Sequence, residues 1–357
     1  PQISRNSLAV DFTYKGYKFT EEIIYTKVIR DLLFQQVNRT DNPTYYSYDV
    51  NHEMPIYSGS INTSLSNAYM LSNTNQGYRY SLTQMVSKTY DFGLNFMLAY
   101  TYGHATDITN GIRNSMESNW QMNQSLTPNN PQLATSNFDI KHRVVSNLGY
   151  AINIGKRNTI SANVFFNAQS GNPYTWGFVN STIAGTGQTA GLAYIFKDVA
   201  EAAKYIGTVS GGVFTSNTQQ VAEYENFISN NEYLNSRRGR FTERNGDNTP
   251  WNIQTDMRIM DEIKIKDGKN STHTLQLSLS IINVGNLINK NWGKSYFVPN
   301  TFNSTVNVGL TKSGSLPVGS ANAGDPVYTF KTPTTTPYTV DQFASRFQAQ
   351  FGIRYSF

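Results

Sequence analysis

Arg346-Phe347-Gln348-Ala349-Gln350-Phe351-Gly352-Ile353-Arg354-Tyr355-Ser356-Phe357 is the stretch that decides the fold. Phe347, Ala349, Phe351, Ile353, Tyr355 and Phe357 fall on one side of an extended backbone. Arg346, Gln348, Gln350, Gly352, Arg354 and Ser356 fall on the other. Strict alternation is the period of a strand with one apolar face and one wet face. In a soluble sandwich the apolar face meets a second sheet. In a membrane barrel it meets lipid, with aromatic residues at the interface.

The same alternation recurs upstream. Leu8, Val10, Phe12 and Tyr14 are in phase, and Lys15-Gly16 turns the chain into a long return from Tyr17 through Phe19, Ile23 and Tyr25 to about Val37. Asn67 to Lys88 reads as the next strand, with Tyr78, Tyr80, Leu82 and Val86 in phase; a turn near Thr89-Tyr90-Asp91 leads to Phe92, Leu94, Phe96, Leu98, Tyr100 and Tyr102. Phe138, Ile140, Val144, Leu148 and Tyr150 form another strand, turned by Gly155-Lys156-Arg157-Asn158 into Ile160, Ala162, Val164 and Phe166. Ile253 to Lys266 and Leu275 to Ile281 flank a hairpin turn, Asp267-Gly268-Lys269-Asn270, of the expected chemistry.

Between these tight turns lie long polar segments, from Asn38 to about Asn67, over 107–136, over 179–250 and from about Asn286 to Asp341. Within 179–250, Val199 to Lys204 and Val221 to Tyr233 are candidate short helices. Outer-membrane barrels sort their connections in this way, with short periplasmic turns and long extracellular loops. Loops beyond about 15 residues are uncommon in compact soluble domains. The expectation is an all-β fold, an antiparallel transmembrane β-barrel in which about nine strands are present. An odd count is half a pattern, since bacterial single-chain barrels have even numbers. Residues 1–357 therefore read as the C-terminal portion of one larger barrel.

Composition agrees. Only 38% of the 357 residues are hydrophobic, yet there are 23 Tyr and 20 Phe, and the mean hydropathy is −0.45. A helical membrane protein needs apolar runs of about 18 residues or more, and the sequence has none. A barrel strand needs only about ten, half of them polar. There is no cysteine, which suits an oxidising envelope compartment without requiring one. The net charge of +5 comes from scattered basic residues, so nucleic acid is not an expected partner.

Gln350-x-Gly352-x-x-Tyr355-x-Phe357 resembles the terminal signal of bacterial outer-membrane barrels. The resemblance implies recognition by the barrel-assembly machinery, with the C-terminus periplasmic. Phe138-Asp139-Ile140-Lys141-His142-Arg143 resembles a strand of TonB-dependent outer-membrane receptors, and Gly171-Asn172-Pro173-Tyr174 is similar to the motif ending their following strand. Arg244-Asn245-Gly246-Asp247-Asn248-Thr249-Pro250-Trp251 with Asp256-Met257-Arg258 resembles the approach to a late strand in the Oar-like branch known from Bacteroidetes, more than the SusC-like branch. Membership would imply a barrel of about 22 strands. It would also imply an N-terminal plug and a TonB-contacting segment, neither of which is in this sequence, and ligand import driven from the inner membrane. The alternative is a scaffold or adhesion barrel in a surface complex without transported cargo. Expected partners are outer-membrane lipid and lipopolysaccharide, the assembly machinery, TonB through the missing part, and other surface proteins.

No catalysis, cofactor or metal is expected. The sequence has no Gly-x-Ser-x-Gly, phosphate loop or His-Glu-x-x-His motif, and its four histidines are dispersed. Asp139, Lys141 and Arg143 are expected on the wet face, with His142 among the lipid-side residues. Arg237, Arg238 and Arg240, beside Tyr233 and Phe241, are candidate ligand or rim contacts, because Arg forks suit carboxylate and phosphate. Salt bridges to Glu232 or Glu243 are the competing use. Tyr45, Tyr46, Tyr48 and Tyr57 are expected in an interface girdle, with stacking on sugar or peptide as the other reading.

Overall fold

The computed structural model describes residues 1–40, 43–49, 51–57, 59–110, 113–179, 190–267, 271–299, 305–334 and 336–357. Nine strands form the path of one antiparallel sheet: β1 Gln2–Tyr14, β2 Tyr17–Gln36, β3 Tyr78–Thr89, β4 Leu94–Asp107, β5 His142–Ile154, β6 Asn158–Gln169, β7 Asn252–Asp267, β8 Ser271–Ile282 and β9 Gln348–Ser356. Each strand pairs with its neighbours in chain order. The path runs from β1 to β9, and among the described residues those two strands do not pair with each other. No described helix is long and apolar enough to cross a membrane.

The register turns the alternation of each strand into two continuous faces. One row crosses seven strands as Lys88, Phe96, Leu148, Val164, Met257, Ile281 and Ala349. The row beside it, on the opposite face, reads Thr89, Asn95, Gly149, Asn163, Arg258, Ser280 and Gln350. A one-residue slip anywhere would exchange the faces. The apolar face is uncovered: Leu8 is 68% exposed, Ile353 67% and Phe351 66%. Its polar exceptions are few. Glu21 lies opposite Gln84, and Asp261 sits between Ile160 and Leu277. Lys88 bends toward the hairpin turns, its Nζ 4.0 Å from the Tyr17 ring centroid and 3.3 Å from the Lys15 carbonyl oxygen, an apolar stem carrying its charge to a wet end.

Aromatic rings border this face at both ends. Tyr14, Tyr17 and Tyr90 lie by the hairpin turns, while Tyr80, Tyr102 and Trp251 lie toward the long connections, where the His142 ring stacks on Trp251 at 6.0 Å. The β1–β2 turn has the positive φ angles that its two-residue geometry needs, 50° at Lys15 and 78° at Gly16.

Three expectations need correction. Asn67 to Lys88 is not one unbroken strand: a short strand, Tyr69–Thr74, pairs with the far end of β2, and residues 75–77 interrupt it before β3 resumes the same register, with Gly77 at φ 124° taking the break. β5 begins at His142, so Phe138 and Ile140 lie outside it. Asp139 is not on a strand face but buried, because its carboxylate accepts the Ala105 N–H at 2.6 Å and holds the chain in a turn. His142 does share a row with Leu82 and Tyr102 on the apolar side, and Arg143 lies on the wet side. The expected Gly268-Lys269-Asn270 turn lies outside the described residues.

At the β3–β4 turn Gly93 has φ 97°, its N–H donates to the Tyr90 carbonyl at 3.0 Å, and a Cβ there would overlap the Ala151 carbonyl oxygen. Gly93→Ala is expected to cost about 1–3 kcal/mol locally. Amide exchange at Gly93's partner Ala151 should quicken accordingly; unchanged exchange would mean that the turn tolerates a side chain.

Candidate functional site

The long connections, read from sequence as polar, hold the hydrophobic core. The hairpin formed by Thr44–Asp49 and His52–Ile56, the segment 173–179, and residues from 191–249, 296–299 and 305–330 pack together at one end of the sheet. Tyr48 stacks on Tyr194 with centroids 4.2 Å apart, and its hydroxyl lies 2.8 Å from that of Tyr328. Phe196 stacks on Tyr205 at 5.3 Å, and Phe178 on Tyr328 at 5.9 Å. Such rings bury large apolar area while their hydroxyls find partners.

Among the described helices, α1 spans Met116–Gln121, α2 Val199–Tyr205, α3 Thr218–Ser229, α4 Glu232–Ser236 and α5 Val284–Ile288, and α2, α3 and α4 complete this core. Asp198, Asn217 and Asn231 cap α2, α3 and α4, each accepting a backbone N–H three residues on. On α3, Val221, Tyr224 and Ile228 share the buried face at helical spacing. The Tyr224 hydroxyl accepts the Phe196 N–H at 3.1 Å. Tyr48 thus belongs to this core and not to an interface girdle. Of its neighbours, Tyr45 is exposed, Tyr46 takes Lys312 Nζ at 2.8 Å, and Tyr57 carries the Arg39 guanidinium over its ring.

The stretch Arg244 to Thr249, expected as the approach to a late strand, is a clasp between connections. Arg244 is 3% exposed, and its Nη2 donates to Asp107 Oδ1 at 2.7 Å. Burial pulls this guanidinium below its ordinary value, and Asp107 works against that pull. Asn245, in the left-handed region at φ 56°, gives its N–H to Thr175 Oγ1 and its Nδ2 to Asn110 Oδ1 and the Thr135 carbonyl. Asp247 Oδ2 accepts from the Tyr174 hydroxyl at 2.6 Å and Trp176 Nε1 at 2.9 Å. Thr249 N–H closes on the Asn172 carbonyl at 3.0 Å. This one hexapeptide ties the β4–β5 connection, through Asp107, Asn110 and Thr135, to the start of its own β6–β7 connection at Asn172 to Trp176.

The predicted rim residues are largely engaged inside the same unit. Arg237 pairs with Glu243 at 2.9 Å and donates to the Phe241 carbonyl. Arg238 forks onto Glu225, with Nη1 3.0 Å from Oε2, and holds that carboxyl below the usual carboxylate range. Glu243 was an anticipated partner; Glu225, and not Glu232, is the second. Tyr233, pushed up to about 12 by burial, accepts the Glu243 N–H at 2.9 Å. Phe241 is buried edge-on against Tyr48 and Tyr194. Arg240 alone of the five has an exposed side chain.

Beside the clasp lies a cleft of about 480 Å³ lined by His104, Thr106, Gln124, Gln132, Glu243 and Arg244, among others. Amides, hydroxyls and one ion pair on an apolar frame suit a hydrogen-bonding ligand more than an apolar one. Sequence reading missed the buried amides Asn110, Asn119, Asn123 and Gln124. Their one visible signal is the density of Asn and Gln over 107–136. No group of three or more His, Asp or Glu residues is placed to hold a metal among the described residues.

At the chain end, Gln350 faces Ser280 and Gly352 faces Ser278 on the wet side. On the apolar side Tyr355 lies opposite Leu275 with its hydroxyl 2.6 Å from His273 Nδ1, and the Phe357 ring, 95% exposed, sits 6.2 Å from that of Tyr355. No protein-family model, no curated protein and no solved structure matches this chain.

Arg244→Met leaves Asp107 without its cation and is expected to destabilise the loop unit by about 2–4 kcal/mol; denaturant unfolding followed by Trp176 fluorescence measures it, and a midpoint equal to wild type would remove the clasp from its central role. Asp325 supplies a pH test. Burial pushes it up to about 6, although the Ser47 N–H donates to Oδ1 at 3.1 Å, and Oδ2 has no partner. A carboxyl protonated more readily in the folded chain than in the unfolded one costs stability as pH rises from about 4 to about 6. Asp325→Asn should therefore slow exchange of the Ser47 amide at pH 7.5 by on the order of tenfold or more. The advantage should fade below pH 6 and vanish near pH 4; a constant ratio across that range would refute the assignment.

Proposed function

We propose that these residues are part of the β-barrel of an outer-membrane receptor of the TonB-dependent, Oar-like type. The loop unit captures a ligand outside the cell, and import follows rearrangement of a plug supplied by another part of the protein, driven from the inner membrane. The observation that carries this reading is the inversion of apolar placement. The rings that pack together do so in the connections, while the strands leave a nine-strand apolar face in the open. That face far exceeds the roughly few hundred Å² that soluble monomers expose. Along β2, the run from Tyr17 to Tyr25 covers roughly 26 Å at about 3.3 Å per residue, or about 20 Å along the normal at a tilt of about 40°, most of the apolar band of outer-membrane barrels, about 25 Å tall. Glu21 and Asp261 are the acidic exceptions, and acids cost less than Lys or Arg on such a face.

A scaffold or adhesion barrel without cargo is the second reading. It is favoured by the internal pairing of Arg237 and Arg238, which spends two of the three clustered cations on holding the loops together. In neither reading do these residues perform catalysis.

The chain has no cysteine, so single cysteines test the face assignment. In outer membranes, a charged maleimide should label Asn147→Cys and Ser278→Cys on the wet side, and spare Leu148→Cys and Leu279→Cys. Equal labelling of both sets would sink the membrane reading. Phe357→Ala combined with Tyr355→Ala should lower the amount inserted, as expected of a damaged assembly signal.

A further inference from the structure

The apolar face carries a built groove at its loop-end margin, of about 410 Å³. Phe166, Ile253 and Thr255 belong to the apolar side of β6 and β7, with Phe166 paired to Thr255 and Ala168 to Ile253. Trp251 continues that side beyond the strand, stacked on His142. The facing wall is the segment 283–296, which contributes Trp292 and Lys294. A volume of this size falls within the range of about 300–1,000 Å³ typical of small-ligand sites.

The wall is held in place by buried polar bonds. Asn283, fully buried and in the left-handed region at φ 56°, takes Asp256 Oδ1 with its N–H at 2.8 Å. Its Nδ2 donates to the carbonyls of Gly293 at 2.8 Å and Ser345 at 2.9 Å. Ser295 N–H donates to Ser345 Oγ at 2.9 Å, and the Asp341 N–H donates back to the Ser295 carbonyl at 2.8 Å. Asn283 Oδ1 has no partner although its residue borders the groove.

Among the residues that line the groove the only charge is positive, with Asp256 and Asp341 engaged behind the wall. Lys294 lines the groove, with Asn291 Oδ1 3.2 Å from its Nζ, and no acidic side chain is among the lining residues. Trp292 is 56% exposed and Ile288 71%, an apolar crest beside a cation. Apolar floor, indole walls and an ammonium at one margin match a molecule with a hydrocarbon part and an anionic head. Tryptophan and lysine take these positions where hydrocarbon gives way to headgroups.

We propose that this groove holds one anionic, phosphate-bearing lipid of the surrounding bilayer. An acyl chain lies over Phe166, Ile253 and Trp292, and the phosphate meets Lys294. The proposal rests on the membrane reading above and deepens it by naming a lipid partner for one place on the apolar face.

The test uses the protein purified from outer membranes and placed in phosphatidylcholine nanodiscs, with phosphatidylglycerol brominated on its acyl chains as the probe. Bromine quenches tryptophan on contact, and Trp120 and Trp176 are buried in the connections, so contact quenching reports Trp251 and Trp292. Brominated phosphatidylglycerol should quench at a lower mole fraction than brominated phosphatidylcholine, and Trp292→Phe should remove much of the signal. Lys294→Ala should raise the half-quenching mole fraction about fivefold, the equivalent of about 1 kcal/mol for one cation facing an anionic lipid. Equal quenching by both lipids, unchanged by Lys294→Ala, would overturn the site while Leu148→Cys stays shielded from the charged maleimide. Labelling of Leu148→Cys would overturn the membrane reading and the site with it. Cross-linking between two copies through Trp292→Cys, with no lipid preference, would give the groove to a second copy of the chain and overturn the lipid assignment.

Discussion

The hydrogen-bond ladder of the nine-strand sheet is the constraint on which the rest depends. Because side chains alternate across a strand, five successive registers must agree for the rows Phe96–Leu148–Val164–Met257–Ile281–Ala349 and Asn95–Gly149–Asn163–Arg258–Ser280–Gln350 to fall on opposite sides. Tight turns enforce part of that agreement, as at Lys15-Gly16 and Gly93. The ladder satisfies backbone donors and acceptors without help from solvent, which is what a strand must do to be stable in hydrocarbon. Two edges remain, at β1 and β9. An unpaired edge is a template for further pairing, and in the proposed barrel both edges would be joined to other strands.

The loop unit is stabilised by different physics. Its segments are distant in sequence and share only short ladders, such as Thr175 to Gly177 beside Thr305 to Asn307 and Tyr194–Ile195 beside Arg240–Phe241, so aromatic stacking and buried polar contacts must do most of the joining. Tyr48 and Tyr328 meet across 280 residues, and Arg244 reaches Asp107 across 137. Closing such loops costs entropy that grows only slowly with length, but it must be recovered at few places. The Arg244–Thr249 clasp is one such place, and its polar groups are satisfied together except for the buried Asn245 Oδ1. A single loss there leaves several buried groups without partners.

These two halves give the functional reading its form. A loop unit with its own core presents a preorganised surface, which lowers the entropic cost of taking a ligand. Arg237 and Arg238 contribute to that order through Glu243 and Glu225, leaving the cleft beside His104 and Gln124 as the more open polar feature. The groove at Trp292 and Lys294 is separate, on the face that would meet lipid.

The sequence by itself determined the strands, their faces and their order along the sheet, because a period of two is local and each tight turn announces itself within a few residues. It also marked α2 and the α3–α4 region. It did not reveal that Tyr48 and Phe241 lie in one core, that Asp139 is buried in a turn, or that Arg244 to Thr249 is a clasp. Those outcomes rest on contacts between segments tens to hundreds of residues apart, and a polar stretch rich in Asn reads the same whether its amides meet water or one another. Only the tertiary structure decided which of the loop aromatics became core. A ring's burial depends on what folds over it, and no local period records that.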